Sequence, residues 1–210
     1  MRPTIVSISG FASDAGKTTV VCRLLQSAPG WEAIKVSRGD YESCRNDPKV
    51  CCASEDPERH AHILSDPNAT KVPGKDTGRY WEAGASAVQW LIASDGQIEA
   101  GIRTALGRVR AQGVFIEGGS FLKYIAPDYS LMVAAMGADD IKQSSVQLLA
   151  RMDGLLLTDV GAEPAAASRF REMLVRRGVH LELPLYLESD LPLIGAAVQQ
   201  VHAERSRSIR

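Results

Sequence analysis

Thr4-Ile5-Val6-Ser7-Ile8-Ser9-Gly10-Phe11-Ala12-Ser13-Asp14-Ala15-Gly16-Lys17-Thr18-Thr19 reads as an apolar strand, a tight turn and the first turn of a helix, in that order. In such a turn successive main-chain N–H groups curl around an anion, and the open amino end of the helix adds its own donors and positive dipole end. Gly10, Ser13, Asp14, Ala15, Gly16, Lys17, Thr18 and Thr19 are therefore the expected contacts to nucleotide phosphates. Lys17 would bring an ammonium to the β and γ phosphates, and Thr18 would place its hydroxyl on Mg2+. The spacing is unusual. Five residues separate Gly10 from Gly16 where the common pattern has four, and Phe11 stands where that pattern has its first glycine.

Downstream, short runs rich in Val, Ile and Leu alternate with longer helical patterns, which is the signature of βαβ units around a largely parallel sheet. Strands are expected at Thr4 to Ser9, Glu32 to Val36, Ala87 to Ala93, Val114 to Glu117, Leu131 to Ala135, Leu155 to Thr158 and Leu181 to Leu185. Helices are expected at Lys17 to Gln26, from Ile98 behind an Asp95 cap, at Gln143 to Arg151, at Pro164 to Arg177 with Gly178 as its stop, and from Pro192 to about Ala203. The prediction is a three-layer α/β fold with a mostly parallel sheet of about seven strands. Residues 1–210 are expected to form one domain of the usual size. The basic end from Arg205 to Arg210 reads as a frayed, solvated tail.

The charge balance, 24 basic residues against 25 acidic for a net charge of -1, gives no electrostatic footprint for nucleic acid. No apolar run reaches the ~18 residues of a membrane span, so the expected location is the cytoplasm, with the four cysteines as reduced thiols. Cys22 falls within the first helix as a small buried thiol.

The stretch at about 37–75 breaks the alternation, carrying three cysteines, two histidines and four prolines. A loop of that length in a compact domain is usually functional. Cys44, Cys51, Cys52, His60 and His62 offer up to five ligands there, more than the four of a structural Zn2+ site, although adjacent cysteines differ from the usual Cys-x-x-Cys knuckle. Nucleotide-driven rearrangement of this loop would change its affinity for metal.

Two carboxylates are candidates for the Mg2+ and for catalysis alongside Lys17. Glu117 ends the run Gly-Val-Phe-Ile-Glu117-Gly118-Gly119-Ser120 and so projects from the carboxyl edge of a strand, where ligands bind in such sheets. Asp40 follows the second strand in Ile34-Lys35-Val36-Ser37-Arg38-Gly39-Asp40 and could bind Mg2+ or orient a water.

Three family resemblances attach to these residues. The five-residue loop with Ser13-Asp14-Ala15 before Gly16-Lys17 resembles the phosphate loops of dethiobiotin synthetase and cobyric acid synthase, which implies the wider family of dimer-prone P-loop NTPases that also holds nitrogenase iron protein, septum-site ATPases and metallocentre-assembly GTPases. A homodimer is the implied assembly. The signature lysine of some of those ATPases falls at Ala12, which disfavours that subgroup. Glu117-Gly118-Gly119 resembles segments of dethiobiotin synthetase and of the urease accessory GTPase, and Lys35 resembles the lysine of the Lys-Pro-Val segment of the former.

The longest likeness joins Pro73-Gly74-Lys75-Asp76-Thr77-Gly78-Arg79 and Glu82-Ala83-Gly84-Ala85 to the molybdopterin-guanine dinucleotide biosynthesis adaptor family. It implies a GTP-binding protein that assists a partner enzyme in cofactor assembly. The histidine-rich stretch of that family is replaced by Ser37-Arg38-Gly39-Asp40, and the family has no cysteine cluster matching the one here. Gly161 stands where metallocentre GTPases carry the guanine-pairing carboxylate, so ATP and GTP both stay open.

The leading expectation is a Mg2+-dependent protein that binds and hydrolyses ATP or GTP and serves molybdenum cofactor or metallocentre maturation. An ATP-dependent ligase resembling dethiobiotin synthetase is the second, and a nucleotide-dependent binding module without hydrolysis the third.

Overall fold

A computed structural model of the protein describes residues 2–39, 61–135, 143–159, 164–180 and 182–208. Among them are eight strands: β1 (Thr4–Gly10), β2 (Glu32–Arg38), β3 (His62–Leu64), β4 (Val88–Ala93), β5 (Gly113–Glu117), β6 (Tyr129–Ala135), β7 (Gly154–Thr158) and β8 (Leu185–Leu187). They form one sheet in the order β3-β4-β2-β5-β1-β6-β7-β8. Every neighbouring pair is parallel except β3 and β4. β1 and β5 are buried along nearly their whole length, as inner strands covered on both faces must be.

The helices are α1 (Lys17–Gln26), α2 (Pro67–Thr70), α3 (Asp76–Glu82), α4 (Ile98–Arg108), α5 (Gln143–Leu148), α6 (Pro164–Arg176) and α7 (Leu191–Ser208). α1, α3 and α7 cover one face of the sheet, burying Val20, Val21, Leu24, Leu25, Tyr80, Ile194 and Val198 against Val6, Ile8 and Phe115. α4 and α6 cover the other, setting Ile98, Ile102, Ala105, Phe170 and Leu174 against Ile5, Ile34 and Ile116. Periodicity produced α1 for a plain reason: its apolar positions recur at three-to-four spacing, and all four are buried. The three expected layers and the mostly parallel sheet are present.

Several expectations need correction. Among the described residues the sheet has eight strands where about seven are expected, because β3 pairs antiparallel at the edge with His62 opposite Ile92. Three residues are too few for a period of two to register in the sequence. The described part of the expected loop is also more ordered than its composition suggested. Asp66 accepts the N–H of Asn68 at 2.8 Å and starts α2, and α3 begins at Asp76, just beyond the expected loop.

Further on, α4 does not use Asp95 as its cap. Gln97 takes the cap position and accepts the Ser94 N–H at 3.2 Å, while Asp95 pairs with Arg38. The last strand lies at Leu185–Leu187 instead of Leu181 to Leu185, with Pro184 giving only its carbonyl, to the Leu155 N–H at 2.9 Å.

The expected helix from Gln143 to Arg151 is α5 followed by a 3₁₀ turn, Leu149–Arg151. Instead of fraying at Arg205, the chain continues α7 to Ser208. Among the described residues no helix is long and apolar enough to cross a membrane.

Candidate functional site

Lys17 opens α1 directly behind Gly16, whose φ of 83° lies in the left-handed region that glycine adopts without penalty. The loop is pinned from below at several points. Phe11 donates its N–H to Val133 at 3.0 Å and buries its ring, 1% exposed, 6.2 Å from that of Phe170. The Ser145 hydroxyl donates to the Gly10 carbonyl at 3.1 Å, and that of Thr158 to the Ala15 carbonyl at 3.1 Å. Ala15 is fully buried, whereas Ser13 and Asp14 stand exposed at the tip. The extra residue of the loop is thus spent on an aromatic anchor. Lys17 Nζ folds back to donate to the carbonyls of Ser13 at 2.7 Å and Ala12 at 3.1 Å.

β5 lies beside β1 with Glu117 in register with Ile8, so the carboxyl end of β5 opens next to the loop. Thr18 Oγ1 donates to Glu117 Oε2 at 2.8 Å. On the other side of β5, Lys35 is the register partner of Glu117, and Lys35 Nζ pairs with Glu117 Oε1 and with Asp76 Oδ2, the latter at 2.8 Å. Tyr80 completes the set by donating its hydroxyl to Glu117 Oε2. Glu117, 1% exposed, therefore accepts from Thr18, Tyr80 and Lys35 together.

Burial by itself would push the Lys35 ammonium down, but the charge of Glu117 and the hydrogen bond to Asp76 carry it above its ordinary value. Burial likewise works to raise the Asp76 carboxyl, yet the hydrogen bond and charge of Lys35, aided by Thr18 and Arg79, hold it below the usual range. The Tyr80 phenol is raised well above its ordinary value by burial and then by the Glu117 charge, so it stays a donor. Cys22 is raised by burial, partly offset by Arg79, and its thiol donates to the Arg79 carbonyl at 3.5 Å.

Thr18 and Glu117 thus meet, and Lys17 lies in the adjoining loop with Gly10, Ser13, Asp14, Ala15 and Gly16, bonded to the Ala12 and Ser13 carbonyls. Thr19 points aside, accepting Arg79 Nη2 at 2.9 Å. Asp40, Cys44, Cys51, Cys52 and His60 lie outside the described residues, as does Gly161. His62 opens β3 at an exposed position. Among the described residues no group of three or more His, Cys, Asp or Glu is placed to hold a metal ion.

The sequence reading gave no role to Asp76 or Tyr80. They stand at i and i+4 and so share a face of α3, a spacing open to inspection once a helix was drawn there.

The order of elements, strand then phosphate-type loop then helix in a three-layer sheet, is that of a P-loop NTPase fold. No family model matches the sequence, and no curated protein matches it. Two crystal structures are similar in fold. One is of a plasmid partition protein of Borrelia burgdorferi B31 bound to AMPPNP, at 11% identity over 98% of this chain and 100% of that one, with a TM-score of 0.43. The other is of a plasmid partition protein of Borrelia burgdorferi, at 11% identity over 99% of this chain and 100% of that one, with a TM-score of 0.41.

Proposed function

We propose that the protein is a Mg2+-dependent nucleotide-binding and nucleotide-hydrolysing protein whose site lies between the Gly10–Thr18 loop and the end of β5. The observation that carries this reading is the Thr18–Glu117 hydrogen bond at 2.8 Å beside the loop that Lys17 closes. With its proton committed to Glu117, the Thr18 hydroxyl keeps its lone pairs for a cation. The neighbouring donors, Asp76 and Glu117, are carboxylate oxygens, which suit a hard ion such as Mg2+. Thr18 and Asp76 would hold the ion, with Glu117 orienting Thr18. The ion would neutralise charge on the phosphates, and Lys17 would turn from the Ala12 and Ser13 carbonyls to the phosphate oxygens.

Calorimetric titration of the full chain with ATP and with GTP, in Mg2+ and then in EDTA, tests this and identifies the base. Binding is expected in Mg2+, and Lys17→Ala should weaken it by about tenfold or more, the worth of a charged hydrogen bond. Failure of both nucleotides to bind would sink the proposal.

The finer reading is an accessory role in molybdenum cofactor or metallocentre maturation, as a homodimer acting on a partner enzyme. It is supported by the likeness of Pro73–Arg79 and Glu82–Ala85 to the adaptor family. Phosphate release stimulated by a molybdopterin nucleotidyl-transferring enzyme would sustain it. The ligase reading draws on the position of Lys35 against Glu117. ATP consumption that depends on an added small carboxylic acid would favour the ligase and count against the adaptor. Tight binding without turnover under either condition would leave a binding module.

A further inference from the structure

Tyr80 is fully buried, yet its hydroxyl reaches the same Glu117 oxygen that accepts Thr18. α3 is thereby fastened to the phosphate-loop helix through Tyr80, Glu117 and Thr18, through Arg79 and Thr19, and through the Cys22 thiol on the Arg79 carbonyl. α3 is in turn fastened to α2. The Trp81 indole N–H donates to Thr70 Oγ1 at 3.0 Å, and Lys71 Nζ stands 4.5 Å from the centre of the Trp81 ring. Gly78 lies so close to the Val72 carbonyl that a Cβ would sit 2.1 Å from its oxygen. The segment from Pro67 to Ala83 is consequently a stiff unit with its anchor in the site.

We infer that Tyr80 is a positioning residue that makes this unit the output element of the site, its place set by what Glu117 is bonded to. The inference rests on the nucleotide reading above and names the regulation of that same site. When Thr18 engages a cation, the Glu117 carboxylate adjusts to it, and Tyr80 must follow. A buried hydroxyl that loses its acceptor has no water to replace it, so separation is disfavoured by roughly tenfold or more. α3 moves with its tyrosine, and α2 with α3.

Hydrogen exchange on the full chain tests the idea, with the tighter-binding of ATP and GTP present in Mg2+ and again in EDTA. Exchange across 76–86 should change by about tenfold between the two conditions in the native sequence. In Tyr80→Phe that change should shrink severalfold, to the part that Asp76 carries at the start of α3, although nucleotide still binds in EDTA, and the gain in nucleotide affinity from Mg2+ should fall by about tenfold or more. An equal change in Tyr80→Phe overturns the inference, as does nucleotide bound in Mg2+ with no response across 76–86. Should Tyr80→Phe fail to fold, Glu117→Gln reads the same coupling from the other end, and a full response in that variant is equally fatal. A native chain that binds no nucleotide defeats the parent proposal as well, so the two failures are distinct.

Discussion

The Thr18 hydroxyl donates to Glu117 Oε2 over 2.8 Å, joining the residue after the loop lysine to the last residue of β5. Glu117 accepts from Thr18, Tyr80 and Lys35 together, which suits it to orienting Thr18. Glu117→Gln keeps the shape and leaves Lys35 paired with Asp76, so the fold should survive. Mg2+-dependent phosphate release should drop by about tenfold to a hundredfold, the range for losing a group that orients a metal ligand. Turnover and Mg2+ dependence equal to the native protein would show that Glu117 has no part in the site.

Phe11 converts the unusual loop spacing into a stability argument. Its ring is 1% exposed and packs on Phe170, holding the loop down on the sheet from the face opposite α1. Phe11→Ala should cost about 3 kcal/mol, the low end for emptying a buried aromatic site. At ~2–4 °C per kcal/mol for a chain of this size, the melting temperature should fall by roughly 6–12 °C. A shift of a degree or less would mean that the anchor is dispensable.

How much of this could be read beforehand depended on the range of the interaction. The phosphate loop is local, and ten consecutive residues carried both its geometry and its chemistry. Glu117 could be placed at a strand end because the apolar run stops there. Its meeting with Lys35 is another matter, since it depends on β2 lying beside β5 with Lys35 in register with Glu117, and strand order is decided by the packing of whole βαβ units. Asp76 and Tyr80 are not legible in the sequence for a different reason. α3 has only seven residues and contains Gly78, so neither its length nor its composition announced a helix. The resemblance of Pro73–Arg79 marked the segment without showing which side chains mattered.

Arg205 separates the structural reading from the compositional one. It lies in α7, and its Nη1 bonds both oxygens of Asp128 at 2.7 Å, while Asp128 also accepts the Ile5 N–H at 2.8 Å. A frayed tail would make Arg205→Ala silent. With the two side chains 17% and 15% exposed, its loss should instead cost about 1–3 kcal/mol, read as a lower urea midpoint. An unchanged midpoint would restore the view of Arg205 as a solvated end.

Asp76 gives the site a pH signature. Lys35 holds its carboxyl below the ordinary value of 3.8, against the opposing pull of burial. An acid whose folded value lies below its unfolded value binds fewer protons in the native state, so its contribution to stability is present above the unfolded value. That contribution is lost as pH falls through the folded value, when protonation removes the partner of Lys35. Asp76→Asn should therefore be less stable than the native protein near neutrality, and the gap should close on acidification. Urea midpoints for the two proteins at about pH 7 and about pH 3 provide the comparison. The Asp76 side chain is 43% exposed, so added salt should shrink the gap at neutral pH too. A gap that widens toward acid would mean that the carboxyl is not held by Lys35, and the ion pair would have to be withdrawn from the account of the site.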